Sequence, residues 1–204
     1  MEVVTGAKVT AIHDGPQVTV DYELGGHLKK ASGECCVMSV GRRPMTGDIG
    51  LETVGIKTSK GFVSVDDSLR TNIPNIYAIG DITGKVQLAH VASAQGLTAA
   101  ANCAGLNRVM KYDIVPSCIY TSPEIAWVGL TADEAEKRGR KIQVGRFNVA
   151  ANGQAMVMGA RDGLIKLTTD AHPGEILGGP LMAPRAPDMI AEIASMMNCE
   201  GAVE

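Results

Sequence analysis

Two neighbouring stretches of this sequence have residue types and spacing that could do chemistry. The apolar run Ile73–Ile79 stops abruptly at Gly80-Asp81, and shortly afterwards Gln87-Leu88-Ala89-His90 opens an alanine-rich segment. An apolar strand ending in Gly-Asp puts a carboxylate at a strand's carboxyl end, where α/β sheets bind ligands. Gly80 would let the backbone approach a ligand closely, and ionised Asp81 offers only acceptors, which suits a ligand hydroxyl. A helix beginning at Leu88–His90 would add free N–H groups and a positive dipole end, suited to electron-rich oxygen or nitrogen. An apolar strand followed by Gly-Asp is also a common turn, so the dipeptide alone leaves both readings open.

The elements that must position these residues follow from periodicity and turn chemistry. AKVTAIHD and QVTVDYEL alternate apolar and polar residues around a Gly15-Pro16 turn, Gly25-Gly26 makes the next turn, and Glu34–Val40 reads as a third run. Residues 1–43 are thus expected to form a small β-meander ending in a buried strand before the loop Gly41-Arg42-Arg43-Pro44. Phe62–Val65 reads as a short strand, Ile73–Ile79 as another, and Leu88–Leu106, rich in alanine and poor in breakers, as a helix. Further on, Ser117–Tyr120 and Ile125–Val128 read as strands. Thr131 with Glu134 forms a capping box for a helix ending at Gly139. Ile142–Val149, Ala155–Met158, Leu164–Thr169 and Ile176–Met182 then follow as strands. Pro184 leads into an amphipathic helix through Met197. This order predicts an α+β fold.

Composition narrows the function classes. Of 204 residues 45% are hydrophobic and 20% charged, and the net charge is −3, an ordinary balance for a soluble chain. No basic cluster would neutralise phosphates, and one Trp, four Tyr and two Phe leave little to stack on bases, so nucleic acid is not an expected partner. No apolar run is long enough to cross a bilayer and no signal pattern opens the chain, which makes cytoplasmic the default location. The cysteines, Cys35, Cys36, Cys103, Cys118 and Cys199, are odd in number and form no CxxC or CxxxxC pair. They read as small apolar residues, not as a disulfide framework or a zinc site, and no metal ligand set is expected.

The ordered series VGRRP (40–44), TNIPNIYAIGD (71–81), LAH (88–90), PSCIYTSPEIAWVGL (116–130) and PRAPDMIAE (184–192) changes the weight of the Gly-Asp turn. In order and spacing it resembles the rear part of the dihydrolipoamide dehydrogenases, flavoproteins of the pyridine nucleotide-disulfide oxidoreductase family, and the resemblance covers nearly the whole chain. IYAIGD alone would indicate only the wider group; Glu124–Gly129 favours the lipoamide branch. The resemblance implies that Asp81, introduced by Gly80, accepts a hydrogen bond from the ribityl chain of FAD. It implies too that Leu88, Ala89 and His90 bring a helix N-terminus to the pyrimidine end of the flavin. There the dipole would stabilise negative charge gained on reduction. Gly41 would lie against NAD and Val9 would flank its adenine side. The implied organisation is the rear of an NAD-binding domain over 1–43, a central flavin-contacting α/β region over 44–113, and a C-terminal α+β dimerisation domain with an antiparallel sheet over 114–204. That last domain would form a homodimer. A 2-oxo acid dehydrogenase or glycine cleavage complex would be the larger partner.

The family's working parts are only partly present. It uses Gly-rich GxGxxG loops, a CxxxxC redox pair and a C-terminal HxHPxxxE segment; none of these patterns occurs here, so no residue is expected to be catalytic. The resemblance therefore implies a piece of such an enzyme, ending just short of the histidine segment and inactive alone. The alternatives are a non-enzymatic dimerisation module, or a piece of another disulfide reductase or transhydrogenase of the same family. Ala171-His172-Pro173-Gly174-Glu175 superficially matches the histidine segment, but Glu175 follows His172 too closely and the stretch falls between two strands, so it reads as a turn. Pro180 stands where a strand residue is usual.

Overall fold

The structure, a computed structural model, describes residues 1–203, and the chain divides into two compact units, Met1–Arg43 and Pro44–Glu204. In the first unit β1 (Lys8–His13), β2 (Val18–Leu24) and β3 (His27–Gly33) form an antiparallel sheet in the order β1-β2-β3. The β2–β3 turn needs two residues at positive φ, which Gly25 (60°) and Gly26 (80°) supply without a Cβ penalty. Cross-strand pairs Val9–Tyr22 and Ile12–Val20 gather apolar side chains on one face. The other face carries His13, Asp21 and Lys30, one from each strand. His13 Nε2 lies 2.9 Å from one Asp21 oxygen and Lys30 Nζ 3.3 Å from the other.

The expected third strand, Glu34–Val40, does not form. Residues 34–40 are exposed coil, and the third strand is His27–Gly33 instead. Apolar and β-branched residues make a strand only when a neighbouring ladder takes their N–H and C=O groups, and among the described residues nothing pairs with this run. Val37 and Val40, predicted to be buried, are 86% and 83% exposed.

The second unit begins with a minimal hairpin, β4 (Thr58–Ser59) and β5 (Phe62–Val63), shorter than the strand expected over 62–65. The expected strand at Ile73–Ile79 is reduced to a single bridge between Arg70 and Tyr77. Local hydrogen bonds explain this: Thr71 gives both its N–H and its hydroxyl to the Ile76 carbonyl at 2.9 Å, and Ile76 N–H turns back to Ile73. Pro74, inside the run, has no N–H to give. A 3₁₀ turn at Gly80–Thr83 follows, then α1 (Ala89–Cys103). The far end of α1 is fixed by Asn102, 4% exposed, whose amide donates to the carbonyls of Ser68 (3.0 Å) and Arg108 (2.8 Å) and accepts from Arg108 N–H (2.7 Å).

The rest is a five-stranded antiparallel sheet of β6 (Ser117–Ile119), β7 (Ile125–Gly129), β8 (Ile142–Asn148), β9 (Leu164–Asp170) and β10 (Ile176–Met182), in the order β6-β7-β10-β9-β8. Helix α2 (Ala132–Lys137) starts at the expected capping box: Glu134 N–H donates to Thr131 Oγ1, while Thr131 N–H donates to the Glu134 carboxylate. Helix α4 (Ala186–Asn198) covers one face of the sheet. Ala126, Val128, Leu181, Ala186, Ile190 and Ala194 form a closed core there, partly lined by Cys118 and Met197. Burial pushes the Cys118 thiol up, with the Glu124 carboxylate adding to the shift. Alternation turns Ile119, Trp127 and Met182 to the opposite face, where all three are exposed.

Two local features differ from simple periodicity. The segment expected as a strand at Ala155–Met158 belongs to a short helix, α3 (Gly153–Val157), because the Asn152 side chain accepts the Ala155 N–H and starts a helical turn in residues of good helix propensity. Pro180 does sit inside β10. The β9 pairing there runs from Gly178–Thr168 directly to Leu181–Ile165, so the ladder is interrupted at the residue that has no N–H. The α+β architecture with an antiparallel sheet stands as predicted.

Candidate functional site

The Gly80-Asp81 turn is built from the inside outward. Ile79 is extended, and Gly80 then takes φ +78°, a conformation that L side chains rarely adopt. Its N–H donates to Gln95 Oε1 at 2.6 Å. Gln95 is fully buried in the middle of α1, and its amide nitrogen donates to the Tyr112 hydroxyl at 2.9 Å. Thr83, also buried, gives its hydroxyl to the Gly80 carbonyl at 2.9 Å, and Gly84 N–H closes the turn on the Asp81 carbonyl at 3.1 Å. The backbone carrying Asp81 is thus pinned by a buried amide from below and closed on itself above.

Helix α1 starts immediately after this turn and packs against it. Leu88 holds the N-cap position in extended conformation (φ −129°, ψ 138°) with no side-chain cap hydrogen bond, and the first turn has no acidic residue. The positive end of the helix dipole is therefore not offset by its own sequence. The His90 ring is already engaged: Nε2–H donates to the Pro116 carbonyl at 2.9 Å. Its ring ties the helix start to the strand that follows, while its backbone belongs to the helix N-terminus.

The structure brings Gly80, Asp81, Leu88, Ala89 and His90 together within the second unit. Val9 and Gly41 belong to the first. Val9 lies on β1 beside an irregularity in the β1–β2 register and is 53% exposed. Gly41, at φ +102°, lies in exposed coil. Sequence reasoning missed Gln95 and Tyr112, which position Gly80. The signal was available: Gln95 is the one amide facing inward from the middle of an otherwise alanine-rich helix, and a buried amide must find partners.

An uncapped helix start beside a glycine turn braced by a buried amide fits a ligand with an electron-rich edge and hydroxyl groups, as FAD has. The donor set is that of hydrogen bonding, and among the described residues no cluster of His, Cys, Asp or Glu could hold a metal ion. All five cysteines are free thiols. The His172–Glu175 stretch is a bend in which Glu175 is bound elsewhere. Arg140 donates from Nε to Asp170 and from Nη2 to Glu175, each at 2.6 Å, and Glu175 bridges to Ala202.

Comparison with known proteins matches residues 1–96 to the pyridine nucleotide-disulphide oxidoreductase family and residues 115–204 to the dimerisation domain of the same family. The chain belongs to the pyridine nucleotide-disulphide oxidoreductases. Among relatives in this family, dihydrolipoyl dehydrogenase of Bacillus subtilis is 41% identical over 196 residues, covering 94% of this chain and 41% of that protein. Dihydrolipoyl dehydrogenase of Chlamydia muridarum is 42% identical over 197 residues, covering 96% of this chain and 42% of the relative. Among solved structures, LpdA from Mycobacterium tuberculosis superposes with a TM-score of 0.88 at 29% identity, over 95% of this chain and 42% of its own. The HOCl-induced flavoprotein disulfide reductase RclA from Escherichia coli gives 0.84 at 28% identity, over 96% of this chain and 45% of its own. The chain spans about two-fifths of the length of the curated relatives it matches.

Proposed function

We propose that the chain supplies one wall of a flavin site and a dimerisation domain to an FAD- and NAD-dependent oxidoreductase of the dihydrolipoamide dehydrogenase type, acting in the cytoplasm. The observation that carries this reading is the Gly80 turn braced by buried Gln95 next to the uncapped start of α1. Asp81 would accept a hydrogen bond from a ribityl hydroxyl. Leu88, Ala89 and His90 would present the positive helix end to the pyrimidine edge of the ring system, favouring negative charge there. When bound, the flavin would supply two-electron acceptance, and NAD would take the electrons onward. Gly41 and Val9 would lie against NAD. Under this reading 1–43 is the rear of an NAD-binding domain, 44–113 the flavin-contacting region and 114–204 the interface domain.

The sequence has no CxxxxC pair and no GxGxxG loop, so these residues hold no group to take electrons from a dithiol. Alone, the chain binds no FAD tightly and does not turn over. Together with the parts that its relatives carry beyond the matched region, it would oxidise dihydrolipoamide for a 2-oxo acid dehydrogenase or glycine cleavage complex. The similarity to RclA supports the same arrangement with a different disulfide substrate.

The test is a chimera in which these residues replace the matching rear part of the Bacillus subtilis relative. The chimera should hold flavin and reduce NAD with dihydrolipoamide, and Asp81→Ala in it should lose flavin. A folded chimera without flavin would refute the site.

A second reading, a non-enzymatic dimerisation module, draws on one observation: among the described residues, both closed hydrophobic clusters lie between Ile114 and Met197. Exposed Ile119, Trp127 and Met182 supply apolar surface for self-association. Light scattering after size exclusion tests it. A monomer at micromolar concentration would remove both the module and the homodimer from consideration.

A further inference from the structure

On the side of the Gly80–Gly84 turn that faces the β4–β5 hairpin there is a pocket of about 400 Å³, lined by Lys60, Lys85, Ser59, Ser64, Thr83 and Phe62. No carboxylate lines it. In a chain of net charge −3, two lysines line it, and neither ammonium group is ion-paired or hydrogen-bonded among the described residues. The Ser59 and Ser64 hydroxyls are likewise unengaged.

The walls are fixed before any ligand arrives. A Cβ added to Gly84 would lie only 2.6 Å from the Phe62 ring, so the turn rests directly on the hairpin. Val63, 2% exposed, anchors the hairpin in the interior. The Thr83 hydroxyl is oriented by its bond to the Gly80 carbonyl. Lys60 holds φ +51° at the hairpin tip, which sets the direction in which its stem leaves the backbone.

We propose that this pocket binds a phosphate monoester with a small apolar body. Two lysines match the charge of a phosphate dianion, and flanking hydroxyls can donate to its remaining oxygens. The volume exceeds that of one phosphate group and falls within the range of small-ligand sites. Phe62 and Val65 offer the apolar wall against which the ester's body would lie. This site is distinct from the Asp81 carboxylate and stands whether or not a flavin contacts that residue.

The experiment is a titration of the ¹⁵N-labelled 204-residue chain, followed by amide shifts, with phenyl phosphate, inorganic phosphate and sodium chloride at matched ionic strength. Phenyl phosphate should give saturable shifts at Lys60, Ser64, Gly84 and Lys85, with inorganic phosphate binding the same amides more weakly. Lys60→Asn, which tolerates the left-handed backbone, and Lys85→Gln should each weaken phenyl phosphate by about tenfold or more. The amides of β7 and α4 should be unchanged in both variants, showing that the fold is kept. Shifts that grow linearly and match those from chloride would overturn the site. Equal affinity for the two phosphates would overturn the assignment of an apolar body. Unchanged affinity in both lysine variants would overturn the role given to the lysines.

Discussion

The two sheets of this protein are built on the same alternating pattern and end in opposite conditions. The sheet of β1–β3 has no buried residue, and on one of its faces the contacts across the strands are polar: His13, Asp21 and Lys30 meet there. The sheet of β6–β10 has Ala126, Val128 and Leu181 closed under α4. Alternation and a good turn suffice to make a hairpin ladder, because each strand finds its partner a few residues away. A core requires something to lay across the ladder, and only the second sheet has it in its own sequence. The apolar face of the first, Val9, Ile12, Val20 and Tyr22, stays partly open.

That contrast can be broken most directly at Ile190, which is 2% exposed on the sheet-facing side of α4. Ile190→Ala should cost about 3 kcal/mol in chemical denaturation followed by Trp127 fluorescence, from lost transfer energy plus an unfilled cavity. A cost near zero would mean that α4 does not seal this sheet. Next in size is Gln95→Leu. It leaves the Gly80 N–H without its acceptor and the Tyr112 hydroxyl without its donor, at a cost of about 2 kcal/mol. Tyr112→Phe should cost less, because Gln95 still reaches Gly80. Equal costs would show that the Tyr112 link, not the Gly80 link, matters. Thr131→Ala, removing the capping-box hydroxyl, should cost about 1 kcal/mol. Val20→Ala in the first sheet should cost under about 1 kcal/mol, since the side chain is only partly removed from water and little packs over it. A larger loss, read by hydrogen exchange at Tyr22, would reveal a cover over that face.

The sequence was readable wherever the partner of a residue is near in the chain. The Thr131–Glu134 cap, the Gly25-Gly26 turn, α1, α4 and most of β6–β10 follow from local chemistry. It was misread where the outcome depends on distant groups. Glu34–Val40 has the composition of a strand and no ladder to join. Residues 155–158 have apolar residues in a strand-like run, yet the Asn152 cap, just upstream and bonded to the Ala155 N–H, decides for a helix. Ile73–Ile79 reads as a strand until Thr71 and Pro74 are given their hydrogen bonds. At the candidate site, Gly80, Asp81 and Leu88–His90 were visible as a motif. Gln95, which fixes the turn from the next element, was visible only as an amide in an alanine-rich helix; that its partner is Gly80 comes from tertiary contact.

The smallest expected effect separates the two sheets by their charges. Asp21 in the first is held below the ordinary carboxylate range chiefly by the His13 hydrogen bond, with Lys30 adding to it. Asp170 in the second is held low first by the His172 backbone N–H and then by Arg140, whose own pKa is raised by the same contacts. A carboxyl whose folded pKa is depressed stabilises the fold above its unfolded value of about 4 and loses that contribution as pH falls through the folded one. Both sheets should therefore soften on acidification below about pH 4, and both groups are exposed enough for salt to weaken the effect. The sheets should differ in which partner carries the effect. His13→Ala removes the leading hydrogen bond to Asp21, so it should take away most of the acid dependence of β2 and leave β9 unchanged. Arg140→Ala should reduce that of β9 only in part, because the His172 N–H still donates to Asp170. Amide exchange in β2 and β9 on acidification through about pH 4, corrected for intrinsic rates, reads this difference. An unchanged acid response of β2 in His13→Ala would show that the His13–Asp21 pair contributes nothing to holding β1 on β2.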